Sequence, residues 1–365
     1  MIYVHVPFCK SFCTYCGFYS EVCKGTAQIV DYVDEVCREI SSRAAEIAAT
    51  ASVNTLYIGG GTPSVLPLSA LGRVVDTCRE ALRSLGLPAD FEEFTVEVNP
   101  EDIVEKGPEY VRGLRSLGVN RISMGVQSFD DELLRWMNRR HDAARAETAF
   151  RMAREAGFGN ISLDLIFGLP QLTDTGWEET VDRALALRPE HISCYQLTVE
   201  GESVLAQMVA DGRFTEASDE QCRCQYDSLC RKMSAAGYHH YEISNFALPG
   251  FEAVHNSGYW ARRPYAGFGP AAHSFDGSSR SWNSSSLQGW KRTREDLTEE
   301  DARVETIMLA LRTARGIEAG LLHENCSMHH IGRLVREGAL VSDGVRYRIP
   351  EERFFVSDEI IRELV

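Results

Sequence analysis

Over its first 196 residues the chain repeats one pattern six times: an apolar run that reads as a strand, then an amphipathic run that reads as a helix. The strand candidates are Ile2–Val6, Thr55–Ile58, Phe94–Val98, Arg121–Met124, Ser162–Ile166 and His191–Tyr195. Between them the apolar spacing predicts helices over Ile29–Ala49, Leu68–Leu85, Glu109–Leu117, Ala143–Ala156 and Thr175–Leu187. Several end at a glycine just before the next strand, as in Leu117-Gly118-Val119 and Ala156-Gly157-Phe158. Strand–helix–strand repeats pair in parallel through right-handed crossovers. Six units are too few to close an eight-stranded barrel. The expected fold is therefore α/β, an open or partial (βα)6 barrel over residues 1–196.

Parallel β/α folds carry their chemistry at the carboxyl ends of the strands. The unusual residues of this chain lie there: Gly59-Gly60-Gly61-Thr62-Pro63, Glu97-Val98-Asn99-Pro100, Gly125-Val126-Gln127, and Asp164 near Phe167-Gly168-Leu169-Pro170. The glycine run is neither a Walker loop nor a G-x-G-x-x-G turn. Its residues allow close backbone approach, and exposed N–H groups there can bind a carboxylate. Glu97, Gln127, Arg139 and Asp164 can hold a ribose, an amino group or a carboxylate; a surface or capping role is the plain alternative for each. Asp164 sits in an otherwise apolar strand, where an unpaired carboxylate is costly, so it calls for a specific partner.

The first strand runs into Cys9-Lys10-Ser11-Phe12-Cys13-Thr14-Tyr15-Cys16. The C-x3-C-x2-C spacing puts three thiols on one short loop, able to reach three corners of an iron–sulfur cube. Such cubes usually take four thiolates. Three leave one iron open to chelate a small molecule, and the amino and carboxylate groups of S-adenosylmethionine (SAM) suit that vacancy. The expectation is a [4Fe–4S] cluster on Cys9, Cys13 and Cys16 that cleaves SAM to a 5′-deoxyadenosyl radical. Phe8, Phe12, Tyr15, Phe18 and Tyr19 are expected to shield it. A structural zinc site would need a second ligand pair, and only His5 and Cys23 lie near. Of the eleven cysteines, Cys37, Cys78 and Cys230 fall in helical surroundings and read as buried thiols. With no signal peptide visible, a disulfide framework is not expected, and the implied compartment is the reducing cytoplasm.

Residues 197–297 are less regular and contain His255-Asn256-Ser257-Gly258-Tyr259-Trp260. Residues 298–365 offer a helix over Val304–Thr313, another near Ile331–Glu337, and a hairpin of Leu340–Val341 and Arg346–Ile349 turning at Asp343-Gly344. That order predicts a small winged-helix-like α+β domain. Winged helices often bind DNA, but residues 295–365 carry 9 Arg and no Lys against 15 Asp and Glu. The whole chain has a net charge of −15, which argues against nucleic acid as a partner. No apolar run reaches the roughly 18 residues of a membrane span, so none is expected.

Together these motifs resemble the coproporphyrinogen-dehydrogenase branch of the radical SAM superfamily. The likeness covers nearly the whole length, through Tyr3-x-His5-x-Pro7-Phe8-Cys9, Gly59-Gly60-Gly61-Thr62-Pro63-Ser64, Arg121-Ile122-Ser123-Met124-Gly125-Val126-Gln127-Ser128-Phe129 and Asp164-Leu165-Ile166-Phe167-Gly168-Leu169-Pro170. Within the branch the chain is most similar to the HemW-type heme chaperones. Phe18 stands where the dehydrogenases have a fourth cysteine, and only eight residues precede Cys9, where they carry an N-terminal extension. The segment His255–Trp260 matches the H-N-x-x-Y-W signature associated with heme binding.

The resemblance implies Cys9, Cys13 and Cys16 as cluster ligands. It implies Tyr3, Gly60, Gly61, Thr62, Glu97, Gln127, Arg139 and Asp164 as SAM contacts, with one or two SAM molecules left open. His255 becomes a heme ligand, with Tyr259 and Trp260 lining the porphyrin. From those six residues alone, a hydrogen-bonded histidine in an aromatic cluster is the stronger reading, and His273 is a rival ligand. The implied function is uptake of heme and its transfer to recipient hemoproteins, by a chain compatible with a homodimer. The alternatives are an oxygen-independent coproporphyrinogen III dehydrogenase, which decarboxylates propionates, and a radical SAM enzyme on another substrate.

Overall fold

The computed structural model describes residues 1–50, 53–201 and 203–365. Six strands form in chain order: β1 (Ile2–Val6), β2 (Thr55–Gly60), β3 (Glu93–Val98), β4 (Arg121–Gln127), β5 (Ile161–Phe167) and β6 (His191–Gln196). Each pairs in parallel with the next. The expected six-unit α/β arc is therefore present, and three further short strands widen it. β7 (His239–Glu242) and β8 (Asn245–Ala247) form an antiparallel pair, and β8 joins β6. β9 (Ala266–Phe268) lies parallel to β1. The order β9-β1-β2-β3-β4-β5-β6-β8-β7 leaves the two edges unpaired with each other among the described residues, so the barrel is open.

The crossover helices are α1 (Thr26–Ser42), α2 (Leu68–Ser84), α3 (Pro100–Ser116), α4 (Ala143–Glu155) and α5 (Asp174–Leu187). Four match the sequence expectation closely, apart from a break near Arg43 after α1. In α3 only the second half is legible from sequence. Gly107 takes φ 76° just before Pro108 and kinks the helix, so the pattern looks like a start at Pro108.

Strand alternation sets the character of the interior. Facing the helices are Val4, Leu56, Ile58, Phe94, Val96, Ile122, Met124, Leu163, Leu165 and Ile192, all buried in one continuous core. The alternate residues face the other side of the sheet and are mostly polar. Registered partners put Tyr3, Tyr57, Thr95 and Arg121 in one row across four strands. Gly125, Asp164 and Ser193 form another. The sheet is thus apolar outside and polar within.

After β6 the chain adds a helix, α6 (Asp219–Ala235), beside α5, and then α7 (Val254–Trp260), which contacts β2 at the amino end of the sheet. Its first amides are held by a barrel carboxylate: Val254 and His255 N–H donate to Glu93 at 2.7 and 3.1 Å. The C-terminal unit runs helix α8 (Glu299–Leu311), strand Ile317–Glu318, helices Ala319–Asn325 and Met328–Arg336, then the strands Val341–Ser342 and Arg346–Arg348. This is the element order of a winged helix, with a small three-stranded sheet. Thr298 and Asp301 close a capping box at the start of α8. The unit is tied to the barrel side: Arg262 pairs with Glu305 at 3.0 Å, and Ala314 N–H donates to Tyr241 O at 3.0 Å. Among the described residues, no helix is long and apolar enough to cross a membrane.

Trp177 is fully buried between α5 and its neighbours, with Nε1 donating to Gln225 O at 2.8 Å and its ring 5.7 Å from Phe167. Trp177→Ala is expected to cost about 3–5 kcal/mol, the range for emptying an aromatic core site. Thermal unfolding checks this: the midpoint should drop sharply, and a midpoint within a degree or so of wild type would show that the site collapses without loss.

Candidate functional site

The cysteine loop leaves β1 and is fixed before any cofactor is considered. Phe8–Cys9 pairs in parallel with Glu21–Val22. Lys10, next to Cys9, lies 2.7 Å from buried Asp102 and 2.6 Å from Glu105 at the start of α3. Asn138 Nδ2 donates to Phe12 O at 2.7 Å, and Thr14 donates to the backbone of Trp136 and Met137. His5 Nε2 meets Tyr19 O at 2.9 Å, while its Nδ1 faces the Tyr3 hydroxyl at 3.0 Å. A loop held at so many points positions its thiols without further ordering.

All eleven cysteines are free thiols, and Cys9, Cys13 and Cys16 line one wall of a cavity of about 1600 Å³. Among the described residues, no three His, Cys, Asp or Glu side chains converge as a single metal ion requires. A set of three thiols on one cavity wall is the donor chemistry of a cubane with one open iron, where structural zinc takes four ligands. Arg139 Nη1 lies 3.4 Å from Cys13 Sγ, and Thr62 Oγ1 lies 3.4 Å from Cys9 Sγ, so both can stabilise thiolates. Burial pushes the Cys9 thiol up and the Cys16 thiol to about 11, so loading the site must displace protons. The aromatic shield is thinner than expected. Phe8 is buried against Tyr32, but Phe12 and Phe18 are 48% and 72% exposed.

The expected SAM contacts Tyr3, Gly60, Gly61, Thr62, Glu97, Gln127, Arg139 and Asp164 all line the same cavity. Backbone geometry explains the glycines. A Cβ on Gly61 would lie 2.9 Å from Phe8 O, and one on Gly60, at φ 109°, would lie 2.6 Å from the His5 ring. Their amides are already engaged: Gly60 N–H donates to Glu97 at 3.0 Å and Gly61 N–H to Val6 O at 2.8 Å. The glycine loop does hold a carboxylate, but it is the protein's own. Glu97 also accepts from the Tyr57 hydroxyl at 2.7 Å. Asn99 joins the two sides of the rim, donating to Thr62 at 3.2 Å and accepting from Arg139 at 2.7 Å. Desolvation opposes the Arg139 charge, yet Tyr15, Cys13 and Glu101 hold its pKa up. Asp164 has the partner its strand position called for, the Ser123 hydroxyl at 3.2 Å. Burial still raises its pKa to about 6. Gln127 takes φ 67° at an irregularity between β4 and β5.

His255 reaches the same cavity from α7 but is only 1% exposed. Thr55 Oγ1 lies 2.7 Å from its Nδ1 and Tyr259 Oη 2.8 Å from its Nε2. Burial lowers its pKa to about 3, so the ring is neutral. Iron ligation through Nε2 therefore requires Tyr259 to withdraw. Tyr259 lines the cavity; Trp260 does not. The rival His273 is exposed at the cavity wall, stacked on Trp282 at 6.0 Å.

Sequence reading assigned no site role to Tyr57, Asn99, Arg121 or His191, all of which line the cavity. The signal was present in the strands. Polar residues recur at every second position of Glu93–Glu97 and Arg121–Ser123, which marks a polar inner face.

The family model for the radical SAM superfamily matches residues 3–184. The heme chaperone HemW of Bacillus subtilis (strain 168) is 36% identical over 325 residues, covering 86% of this chain and 84% of that one. HemW of Lactococcus lactis subsp. lactis (strain IL1403) is 31% identical, covering 100% of this chain and 96% of that one. Among solved structures, the coproporphyrinogen III oxidase HemN of Escherichia coli has the same fold, with a TM-score of 0.82. It is 24% identical, and the match covers 99% of this chain and 89% of that one.

The carboxyl of Glu97 yields a pH prediction. Burial raises its pKa from 4.5 to about 7, so the folded apoprotein binds this proton more tightly than the unfolded chain does. The linked stability is full below pH 4.5 and is lost as pH rises to about 7. Glu97→Gln should flatten the decline of the apoprotein's unfolding midpoint across that window. An unchanged slope would mean that another group sets the pH dependence.

Proposed function

The chain belongs to the radical SAM superfamily and, within it, to the HemW family, and from that premise we infer that it takes up heme and passes it to recipient hemoproteins. The observation that carries this reading is that three sets of residues line one continuous cavity: the cysteine loop, the polar rim and the His255–Tyr259 segment. A cargo in that cavity would be in reach of the redox cofactor. The eleven unpaired cysteines suit a reducing compartment, and we assign the protein to the cytoplasm.

In this reading Cys9, Cys13 and Cys16 hold a [4Fe–4S] cluster, which supplies an electron for reductive cleavage of SAM when both are bound. Arg139 offsets thiolate charge beside Cys13. Glu97, fixed by Tyr57 and Gly60, and Asp164, fixed by Ser123, are the acceptors for ribose hydroxyl or amino groups. His255 offers Nε2 to heme iron once the Tyr259 hydroxyl moves aside. Its low pKa keeps the ring neutral at neutral pH, and Nε2 carries the free lone pair in the tautomer whose Nδ1–H donates to Thr55 Oγ1.

The enzymatic alternative draws on the shared fold with HemN: a lumen of this kind also suits a porphyrinogen acid. Phe18, exposed at the loop, counts against it, since it replaces the fourth cysteine of the dehydrogenases. Conversion of coproporphyrinogen III to protoporphyrinogen IX by the reconstituted protein would reverse this ranking.

Two measurements test the reading. Serine substitution of Cys9, Cys13 or Cys16 should abolish the reduced-cluster EPR signal of anaerobically reconstituted protein, whereas Cys23→Ser should retain it. Retention of the signal by any of the first three would remove that ligand from the set. Hemin titration followed by the Soret band should give saturable binding, weakened about tenfold or more by His255→Ala. Unaltered binding would shift the iron site to His273, tested by His273→Ala.

A further inference from the structure

Arg121, the first residue of β4, is 3% exposed and lines the cavity. Its Nε has no hydrogen-bond partner, and among the described residues no carboxylate comes within ion-pair distance of its guanidinium. The other sheltered arginines are tied down. Arg43 pairs with Glu39 and Glu46, Arg154 with Glu190, and Arg139 donates to Asn99 and to Gly125 O. Arg121 influences Glu97, Asp164 and His255 through its charge but bonds to none of them. A buried cation without a counter-ion is costly. A fold that keeps one facing a cavity has left its anion to be supplied from outside.

We propose that Arg121 anchors a carboxylate of the lumen's cargo, which for heme is a porphyrin propionate. This rests on the heme reading above. SAM does not meet the requirement. Its one carboxylate belongs at the cluster end, and Arg121 begins the strand whose last residue, Gln127, stands at that rim. Six residues at about 3.3 Å each separate their α-carbons by roughly 20 Å along β4. At the Arg121 end of the lumen, α7 brings in His255, which the chaperone reading makes the iron ligand. One flat ligand bearing both a metal centre and acid arms would engage the two together. The planar guanidinium matches a carboxylate in bidentate geometry.

The test uses the full-length, anaerobically reconstituted protein and two probes, hemin and hemin dimethyl ester, whose propionates are masked. Wild type should bind hemin about tenfold or more tighter than the ester, by Soret titration. Arg121→Gln should lose that preference by weakening hemin alone, and Arg121→Lys should restore part of it. Iron–sulfur absorbance at wild-type level confirms that the variants are folded. Equal affinity of wild type for hemin and ester overturns the proposal without any variant. So does an Arg121→Gln protein that keeps the full preference. If wild type binds neither probe, the heme reading fails and this proposal falls with it, a result distinct from the other two.

Discussion

The whole arrangement depends on an inverted division of labour in the sheet. In most small barrels the inward side chains fill the core. Here the apolar positions of β1 to β6 are spent on the surrounding helices, and the inward positions are Tyr, Thr, Glu, Arg, Ser, Asp and His. Such a lumen does not fill itself with its own side chains, because these groups would lose water without finding enough partners. The cavity of about 1600 Å³ is what the polar face keeps open.

Within that lumen, many polar groups are held by other protein groups before a ligand arrives. Glu97 is clamped between Tyr57 and Gly60, and Arg139 between Asn99 and Gly125 O. His255 is held between Thr55 and Tyr259. These contacts preset orientation, which lowers the ordering needed on binding. They also compete with the ligand, most visibly at His255, whose iron-binding nitrogen is covered by a hydroxyl. Arg121 differs, since among the described residues no carboxylate is in direct contact with it and its Nε has no hydrogen-bond partner.

Much of this was legible in the chain. The six strand–helix repeats, the thiol spacing and the polar residues just after the strands each follow from local pattern, because side-chain period and chain direction decide which face and which end a residue occupies. The half of α3 before Gly107 was not legible. A glycine–proline break looks like a helix start whether or not a helix precedes it. The outward exposure of Phe12 and Phe18 was also beyond reach, since it depends on how remote segments pack against the loop.

The sequence by itself determined the parallel β/α order, the three-thiol loop after β1 and the acidic balance that disfavours nucleic acid, since each is a property of neighbours along the chain or of composition. Only the tertiary structure decided that His255, some 200 residues from Thr55, is enclosed by it and by Tyr259. It alone decided that the Gly60 amide serves the protein's own Glu97, and that Arg121 Nε is buried without a hydrogen-bond partner among the described residues. Those are facts about which groups meet across the lumen. A hydrogen bond or its absence is set by distances between remote strands, and no local period encodes it.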